Sequence, residues 1–227
     1  MPPDKNIKRE KNMRLKLLCV HSDLLKTLDV SKNQKLVCLE LQSNSVKKLN
    51  LKHNKKLVNL CLRCGKLKAL DLSANTKMMI LTIEKTPLKS LDLSKQKKLE
   101  RLFIKNMKKL GRLDLSKNKL LWSLEVENTS ITSLNISKLS KLWGMKITGN
   151  KKLTKLDLSG NKYAPDADVS NNALKTLKIG INKRMCYLDC SKNKLTTLDL
   201  SGAEVLWELI CDKKVKVKGY KGSIKRI

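Results

Sequence analysis

Seven cysteines and two histidines are the residues of this chain best suited to metal binding or redox chemistry. Cys61 and Cys64 form a Cys-x-x-Cys pair, a spacing found in zinc and thiol–disulfide sites. No second pair follows at zinc-site spacing, and only His21 and His53 could add nitrogen ligands. Because seven is an odd number, the cysteines cannot all pair within one chain.

The repeat register described below places Cys38 one turn before Cys61, so that Cys38, Cys61 and Cys64 are expected to be neighbours on one face. Three thiols are one ligand short of a closed structural zinc site. We therefore predict no metal site and no cofactor. No catalytic triad, carboxylate pair or phosphate-binding loop is visible either, because glycine is scarce and aspartate recurs within one repeated motif. The chain is predicted not to be an enzyme.

That motif is Leu-Asp-x-Ser-x-Asn, complete at Leu113–Asn118 and repeated at a nearly constant interval. Near-copies begin at Leu28, Leu49, Leu70, Leu91, Leu134, Leu156 and Leu198, and a weaker copy begins at Leu177. The period of roughly 21 residues is typical of a leucine-rich repeat solenoid.

A second string, of the form apolar-x-apolar, lies midway between successive copies of the motif, as at Leu39-Glu40-Leu41. An alternation with a period of two indicates a short strand with one buried face. Each turn should therefore carry one short strand on each of two opposite walls. We predict an α/β-class repeat solenoid that is largely β, with two short strands per turn and about ten turns.

An unbroken repeat permits one folded domain. We divide the chain into a polar segment at 1–13, a solenoid at 14–214, and an edge strand with a tail at 215–227. The stretch 1–12 is expected to be frayed and to cap the first turn poorly. We therefore expect that an N-terminal portion is missing from this chain or from its ancestor. No stretch is long and apolar enough to span a membrane, and the N-terminal region lacks the core of a signal peptide.

Polar residues recur at two corners of each turn, where an inward amide can satisfy backbone groups. At the corner after the apolar-x-apolar string, Gly65, Thr86, Met107 and Thr129 replace asparagine in some turns. Both columns are predicted to be structural. Asparagine occupies the first column at Asn44, Asn150, Asn172 and Asn193, and the second at Asn33, Asn54, Asn75, Asn118, Asn161 and Asn182.

The Leu113–Asn118 motif, together with Leu36-x-x-Leu39-x-Leu41-x-x-Asn44-x-Val46, resembles the repeats of bacterial leucine-rich repeat proteins of the internalin J type. Those repeats read LxxLxCxxNxLxxLDxSxN, and the resemblance covers about Leu17 to Lys214. The family places a buried cysteine at the second inward strand position. Aliphatic residues replace it in most turns here, and the cysteines that keep it are Cys19, Cys190 and Cys211.

The resemblance implies a non-enzymatic protein of the bacterial cell surface that takes part in adhesion or interaction. A location at the cell surface or outside the cell is therefore expected from the resemblance. Because no signal peptide is visible, a cytoplasmic chain or a fragment of a longer one is the alternative.

The register also divides the surface, with the apolar-x-apolar strands taken as the concave wall. Half of the acidic residues and five of the seven aromatic residues are predicted to lie on that wall or its rim. The net charge of +30 must then reside mainly on the convex wall and the edges. Lysines predicted there include Lys47, Lys48, Lys55, Lys56, Lys97, Lys98, Lys151 and Lys152.

Exposed aromatic residues ringed by charge are a common composition for a binding hot spot. The alternative is that the rings stack to stabilise the solenoid or, in the case of Trp207, cover one end. The predicted binding residues are Arg101, Phe103, Lys105, Trp122, Glu125, Glu127, Trp143, Lys146, Tyr187 and Trp207.

We predict a monomeric binding module that recognises a protein or glycan through its concave face. The alternative is polyanion binding, to nucleic acid or an anionic cell-wall polymer, through the lysine-rich convex wall. No recognised nucleic-acid-binding motif is present, so polyanion binding is expected to be weak.

Overall fold

The structure is a computed structural model that describes residues 14–227 and the backbone of strand β1 (Asn6–Ile7). Eleven parallel strands, each supplied by a successive coil, form one continuous sheet. About ten turns are therefore present, as predicted, and the described residues contain no helix, so that the architecture is β throughout. The strands of this main sheet are β2 (Leu17–His21), β4 (Cys38–Gln42), β5 (Asn59–Arg63), β6 (Ile80–Glu84), β7 (Arg101–Lys105), β8 (Ser123–Glu127), β9 (Gly144–Thr148), β11 (Asp166–Asp168), β13 (Tyr187–Asp189), β15 (Glu208–Cys211) and β17 (Ile224–Arg226).

The apolar-x-apolar strings form the strands of the main sheet and supply its buried face. Leu39 and Leu41 of β4 are fully buried and pair in register with Leu60 and Leu62 of β5. The residue between each such pair points outward, since successive side chains of a strand alternate between faces. Stacking the coils therefore joins the leucines of all turns into one continuous core.

The predicted second strand occurs in only some of the turns. Where the opposite wall is paired, its strands are β1 with β3 (Thr27–Leu28), β10 (Lys155–Asp157) with β12 (Thr176–Lys178), and β14 (Thr197–Asp199) with β16 (Lys216–Lys218). An isolated bridge joins Leu28 to Leu49. Elsewhere the described residues of this wall form no further strand pairs. Local hydrogen bonds close its turns, whether or not the coil carries a paired strand. In a typical turn the Ser73 N–H donates to Asp71 Oδ1, and the Asn75 N–H donates to the carbonyl of Leu72.

The amide column on the opposite wall is buried as predicted. The Asn54 side-chain NH₂ donates to the carbonyls of Val30 and Asn33 in the preceding coil, at 2.9 and 3.0 Å. Asn118 repeats the arrangement two coils beyond Asn75. Gln96, which the asparagine pattern does not predict, fills the gap between them and donates to Leu72 O at 2.7 Å. The column ties neighbouring coils together through backbone groups that would otherwise be buried without partners.

At the other corner the predicted column is wrong in two turns. Asn44 and Gly65 are exposed, and the inward positions belong to the preceding residues, Ser43 and Cys64. Ser43 satisfies the corner through its hydroxyl, which donates to Leu25 O at 3.1 Å. From the Thr86 corner onward an extra residue with positive φ, such as Lys85 at 54°, precedes the inward residue. The predicted inward positions are correct for Thr86, Met107, Thr129, Asn150, Asn172 and Asn193.

The first described coil also differs from the prediction by one residue. Leu18 and Val20 are buried, so that Cys19 and Leu17 point outward. A shift of one residue exchanges the two faces of a strand, and Cys19 is therefore not part of a buried cysteine column.

The structure at the two ends of the chain can be compared with the predicted N-terminal segment and the predicted C-terminal edge strand. The segment 1–12, which is expected to be frayed, lies outside the described residues except for β1, which pairs with β3. At the other end, the predicted edge strand lies on the opposite wall as β16, and β17 forms the edge of the main sheet. No helical segment capable of spanning a membrane occurs among the described residues.

Candidate binding surface

The outward side chains of the main sheet form three rows that run along the solenoid. The central row contains, from coil to coil, Cys19, Glu40, Cys61, Thr82, Phe103, Glu125, Lys146, Asp168, Asp189, Ile210 and Lys225. The residue directly before each strand lies at the edge of this face, and we call this line of residues the rim. It includes Glu100, Trp122 and Trp143.

An aromatic cluster surrounds Arg101 at the middle of this face. The guanidinium carbon of Arg101 lies 5.3 Å from the ring centroids of both Phe103 and Trp122. The backbone N–H of Trp143 donates to the backbone carbonyl of Trp122 at 2.9 Å. The two tryptophans are therefore adjacent on the rim, as the register predicts. Trp122 is 41% exposed and Trp143 is 56% exposed. We call these four residues the aromatic patch.

A network of opposite charges borders the aromatic patch. Lys105 contacts the carboxylates of both Glu125 and Glu127, and Lys146 reaches Glu127 at 3.1 Å. Desolvation opposes ionisation of Glu127, but hydrogen bonds and charge from the two lysines lower its pKa below the usual value. Desolvation likewise opposes the charge on Lys105, whereas its bonds to Glu125 and Glu127 raise its pKa. Glu127 and Lys105 therefore stay charged at neutral pH and hold each other in place.

Two of the predicted binding residues lie elsewhere on the face. Tyr187 is on β13, where burial raises the pKa of its phenol, and the charges of Asp189, Asp168, Glu208 and Asp166 raise it further. Asp168 and Asp189 also line an open cleft of about 400 Å³, together with Lys146, Lys192 and Lys225.

Trp207 lies on the same rim as the patch, but three coils beyond Trp143. Its side chain is 73% exposed, so it does not cover an end of the core. The structure therefore joins eight of the ten predicted residues into one region and separates Tyr187 and Trp207 from them.

Known structures share this architecture. The functional domain of InlJ from Listeria monocytogenes superposes on 90% of this chain with a TM-score of 0.77 and 29% sequence identity. A family model described as a leucine-rich repeat matches residues 149–162. This chain is a leucine-rich repeat solenoid. The resemblance of its repeats to those of the internalin J type is thereby confirmed, although the chain spans only 49% of the InlJ domain.

Two further leucine-rich repeat structures share the fold at lower identity. The LRIM1/APL1C complex matches 87% of this chain and 40% of its own chain, with a TM-score of 0.67 and 16% identity. A complex of TLR13 with ssRNA13 matches 87% of this chain and 37% of its own, with a TM-score of 0.53 and 15% identity. No curated protein sequence matches the chain.

The cysteines of this leucine-rich repeat chain fall into two groups. The InlJ domain includes a cysteine ladder, and here only Cys190 and Cys211 keep the buried position predicted for one. Cys64 is also buried, and its thiol donates to Leu41 O at 3.7 Å. Cys38 and Cys61 point outward in different rows. The predicted grouping of Cys38, Cys61 and Cys64 on one face is therefore wrong, because Cys64 occupies an inward corner.

Sequence reasoning missed a second cluster on the same face. Cys19 and His21 alternate along β2 and face outward with Glu40 of β4. Cys19 Sγ lies 3.4 Å from His21 Nε2, which lies 3.0 Å from Glu40 Oε1. The pattern Cys-x-His is visible in the sequence, but assigning Cys19 to the core concealed it.

The lysines that were predicted to lie away from this face are all exposed. They include pairs in the turns that join the two walls, such as Lys55 with Lys56 and Lys97 with Lys98. The main sheet face has a different character, since its central row mixes acidic, basic, polar and apolar residues.

Proposed function

We propose that this solenoid is a non-enzymatic binding module that holds a protein or glycan partner on the main sheet face, with the aromatic patch as the centre of contact. The observation that supports the proposal most directly is the adjacency of Trp122 and Trp143 on the rim, both substantially exposed. A contiguous exposed apolar patch with a polar border is typical of an interaction site, and tryptophan and arginine are enriched at binding hot spots.

The patch is also ordered in advance of binding. Arg101 stacks between Phe103 and Trp122, which fixes one indole and the guanidinium relative to the sheet. Immobilising a flexible side chain on association costs about 0.5–1.5 kcal/mol. Side chains that are already fixed avoid most of this cost.

The charged network supports recognition of a specific partner. Its lysines and glutamates are paired with each other, so a partner that displaces one group leaves a half-buried charge without its counterion. Such a loss disfavours partners that do not supply matching charges. The patch therefore combines apolar contact area with a charged border that discriminates between partners.

The comparisons support the general class of function. One neighbouring structure is a complex of two proteins, LRIM1 and APL1C. The InlJ domain is described as a functional domain of a Listeria protein. We propose a location at the cell surface or outside the cell on the strength of this resemblance.

The test is a screen of immobilised proteins and glycans with the purified chain, followed by affinity measurements on the strongest partner. Trp122→Ala and Trp143→Ala are expected to weaken that binding by at least about tenfold each, because a hot-spot truncation costs about 2 kcal/mol or more. Trp207→Ala is the matched control, since it removes an exposed tryptophan from the same rim without touching the patch. It should change affinity less than about twofold.

The same measurements decide between the two predicted surfaces. If the proposal is correct, binding persists at moderate salt and depends on the two tryptophans. The polyanion alternative predicts retention on heparin or DNA that falls steeply with salt. It also predicts that Lys97→Glu/Lys98→Glu weakens binding more than either tryptophan substitution does. That result would overturn the proposal.

A further inference from the structure

We propose that Cys19, His21 and Glu40 form a zinc site on the main sheet face, with one coordination position open to solvent. The three residues come from the two neighbouring strands β2 and β4. The site is independent of the aromatic patch, which lies further along the sheet, on β7 and on the rim before β8 and β9. Strands β5 and β6 separate the two.

The positions of the three ligand atoms fit tetrahedral coordination. Zinc bonds of about 2.0–2.3 Å to nitrogen, oxygen and sulfur place tetrahedral ligands roughly 3.3–3.8 Å apart. The sulfur of Cys19 is 3.4 Å from His21 Nε2, and that nitrogen is 3.0 Å from Glu40 Oε1. All three atoms lie within 4.8 Å of one another. Small rotations of the side chains bring them onto one ion without movement of the backbone.

The alternation of a β-strand explains why these residues converge. Cys19 and His21 are two positions apart on β2 and therefore share its outward face. Glu40 is the residue of β4 that pairs with Cys19, so its side chain lies beside that of Cys19. The rigid backbone of two hydrogen-bonded strands thus fixes the origin of all three ligands.

A catalytic triad would require a different arrangement. In a nucleophile–histidine–carboxylate relay, the nucleophile and the carboxylate contact opposite nitrogens of the imidazole. Here the thiol and the carboxylate both approach His21 Nε2. Two groups that meet at one imidazole nitrogen cannot pass a proton through the ring, whereas three donor atoms around a common point suit a cation.

The donor set selects the type of metal. Sulfur and nitrogen ligands favour zinc and related transition ions over calcium and magnesium, which prefer oxygen. Cys19 would bind as the thiolate and release its proton to solvent. Cys19 and His21 are exposed, so a water molecule or a group from a partner can complete the tetrahedron.

A bound ion would join the outermost described strand of the main sheet to its neighbour. β2 pairs only with β4 among the described residues, and the ion would link their side chains in addition to their backbones. Metal binding to the folded state adds to stability by mass action. The expected consequence is slower hydrogen exchange of the β2 amides in the presence of zinc.

The experiment is titration of the reduced, metal-free chain with Zn²⁺ in competition with a chromogenic chelator, and with Co²⁺ followed by absorption. We expect one equivalent of zinc, and a cobalt spectrum with thiolate-to-metal charge transfer and the visible bands of a tetrahedral ion. Cys19→Ala and His21→Ala should each weaken zinc binding by at least about 100-fold, since loss of a ligand exceeds the 10- to 100-fold cost of losing an outer-shell partner. Glu40→Gln should weaken it by about tenfold or more.

Matched controls use two other thiols of the main sheet face and the second histidine. Cys38→Ala, Cys61→Ala and His53→Ala should leave zinc affinity within about twofold, and circular dichroism should confirm that every variant is folded. The proposal is overturned if the Cys19→Ala/His21→Ala double variant binds zinc as tightly as the parent chain. It is equally overturned if Cys38→Ala or Cys61→Ala costs as much affinity as Cys19→Ala.

Discussion

The guanidinium of Arg101 packs against Trp122, with its carbon 5.3 Å from the centroid of the indole. Arg101 belongs to β7 and Trp122 precedes β8, so the contact spans two coils of the solenoid. It joins a position inside the sheet to a position on its rim. The stacking of the two coils brings Arg101 and Trp122 close together, and their contact then fixes the relative position of the two side chains in the aromatic patch.

Replacing Arg101 by alanine should loosen Trp122. We expect a loss of about 0.5–2 kcal/mol in the free energy of unfolding, the range for a cation–π contact. Acrylamide should also quench Trp122 fluorescence more strongly. Three tryptophans are present, so the measurement uses a Trp143→Phe/Trp207→Phe background in which Trp122 is the sole emitter. Arg112→Ala, which removes an exposed arginine, is the control, and equal quenching in both variants would contradict the expectation.

Replacing Asn118 by leucine should be strongly destabilising. Its side-chain NH₂ donates to the buried carbonyls of Leu93 and Gln96 at 3.0 and 2.9 Å. Leaving both carbonyls without a donor should cost roughly 2–6 kcal/mol, because each buried unsatisfied group costs about 1–3 kcal/mol. Urea denaturation followed by circular dichroism measures the loss. Lys119→Ala, at the exposed neighbouring position, should change stability by less than about 0.5 kcal/mol.

The repeated aspartates should make the solenoid sensitive to acid. The Ser116 backbone N–H donates to Asp114 Oδ1 at 2.8 Å, and this hydrogen bond lowers the pKa of the carboxyl. Because the pKa in the folded state is below that in the unfolded state, the stabilisation is present above the unfolded pKa of about 3.9. It is lost as the pH falls through the folded pKa. The urea midpoint should therefore decrease when the pH is lowered from about 6 to about 3.

The chain supplies its own control for this pH effect. Asn135 Oδ1 accepts the Ser137 N–H at 3.1 Å in the equivalent turn, without a titrating group. Asp114→Asn should keep the turn and make the acid-dependent decrease smaller than in the parent chain. An unchanged decrease would show that Asp114 does not contribute to it.

Thiol reagents should distinguish the two groups of cysteines. Burial raises the pKa of Cys64 to about 11, and burial also raises the pKa of Cys190. Both should resist alkylation at neutral pH in the folded chain, while Cys19, which is exposed to the reagent, should react sooner than either of them. Peptide mapping by mass spectrometry after brief labelling measures the order. The fully denatured chain, in which all seven thiols should react, is the control, and early labelling of Cys64 would contradict its burial.

Much of the fold follows from the spacing of a few residue types. The apolar-x-apolar strings predict the main sheet, and the asparagines after each serine predict the buried amide column. Both inferences succeed because the coil repeats, so that residues one period apart must become neighbours. Gln96 escapes the pattern because it differs from asparagine, although its longer amide also reaches a carbonyl of the preceding coil.

The errors about which side chains face inward all concern positions where the register changes by one residue. The pattern places Asn44 and Gly65 inward because most other coils contain an extra residue with positive φ at that corner. In the first coil, the position of the strand is predicted from its distance to the motif that begins at Leu28, and this distance places Cys19 inward. The buried residues are instead Leu18 and Val20. Such a shift leaves the composition of a strand unchanged but reverses which side chains face solvent.

By itself, the sequence determined the solenoid, its number of turns and the wall on which the tryptophans lie, because a nearly constant period specifies the neighbours of every coil. Only the tertiary structure decided that Arg101 stacks between Phe103 and Trp122, and that Cys19 meets His21 and Glu40. Those contacts depend on side-chain direction and on single-residue register. A repeat pattern determines the order of the coils, but it does not determine the direction of each side chain or the register to within one residue.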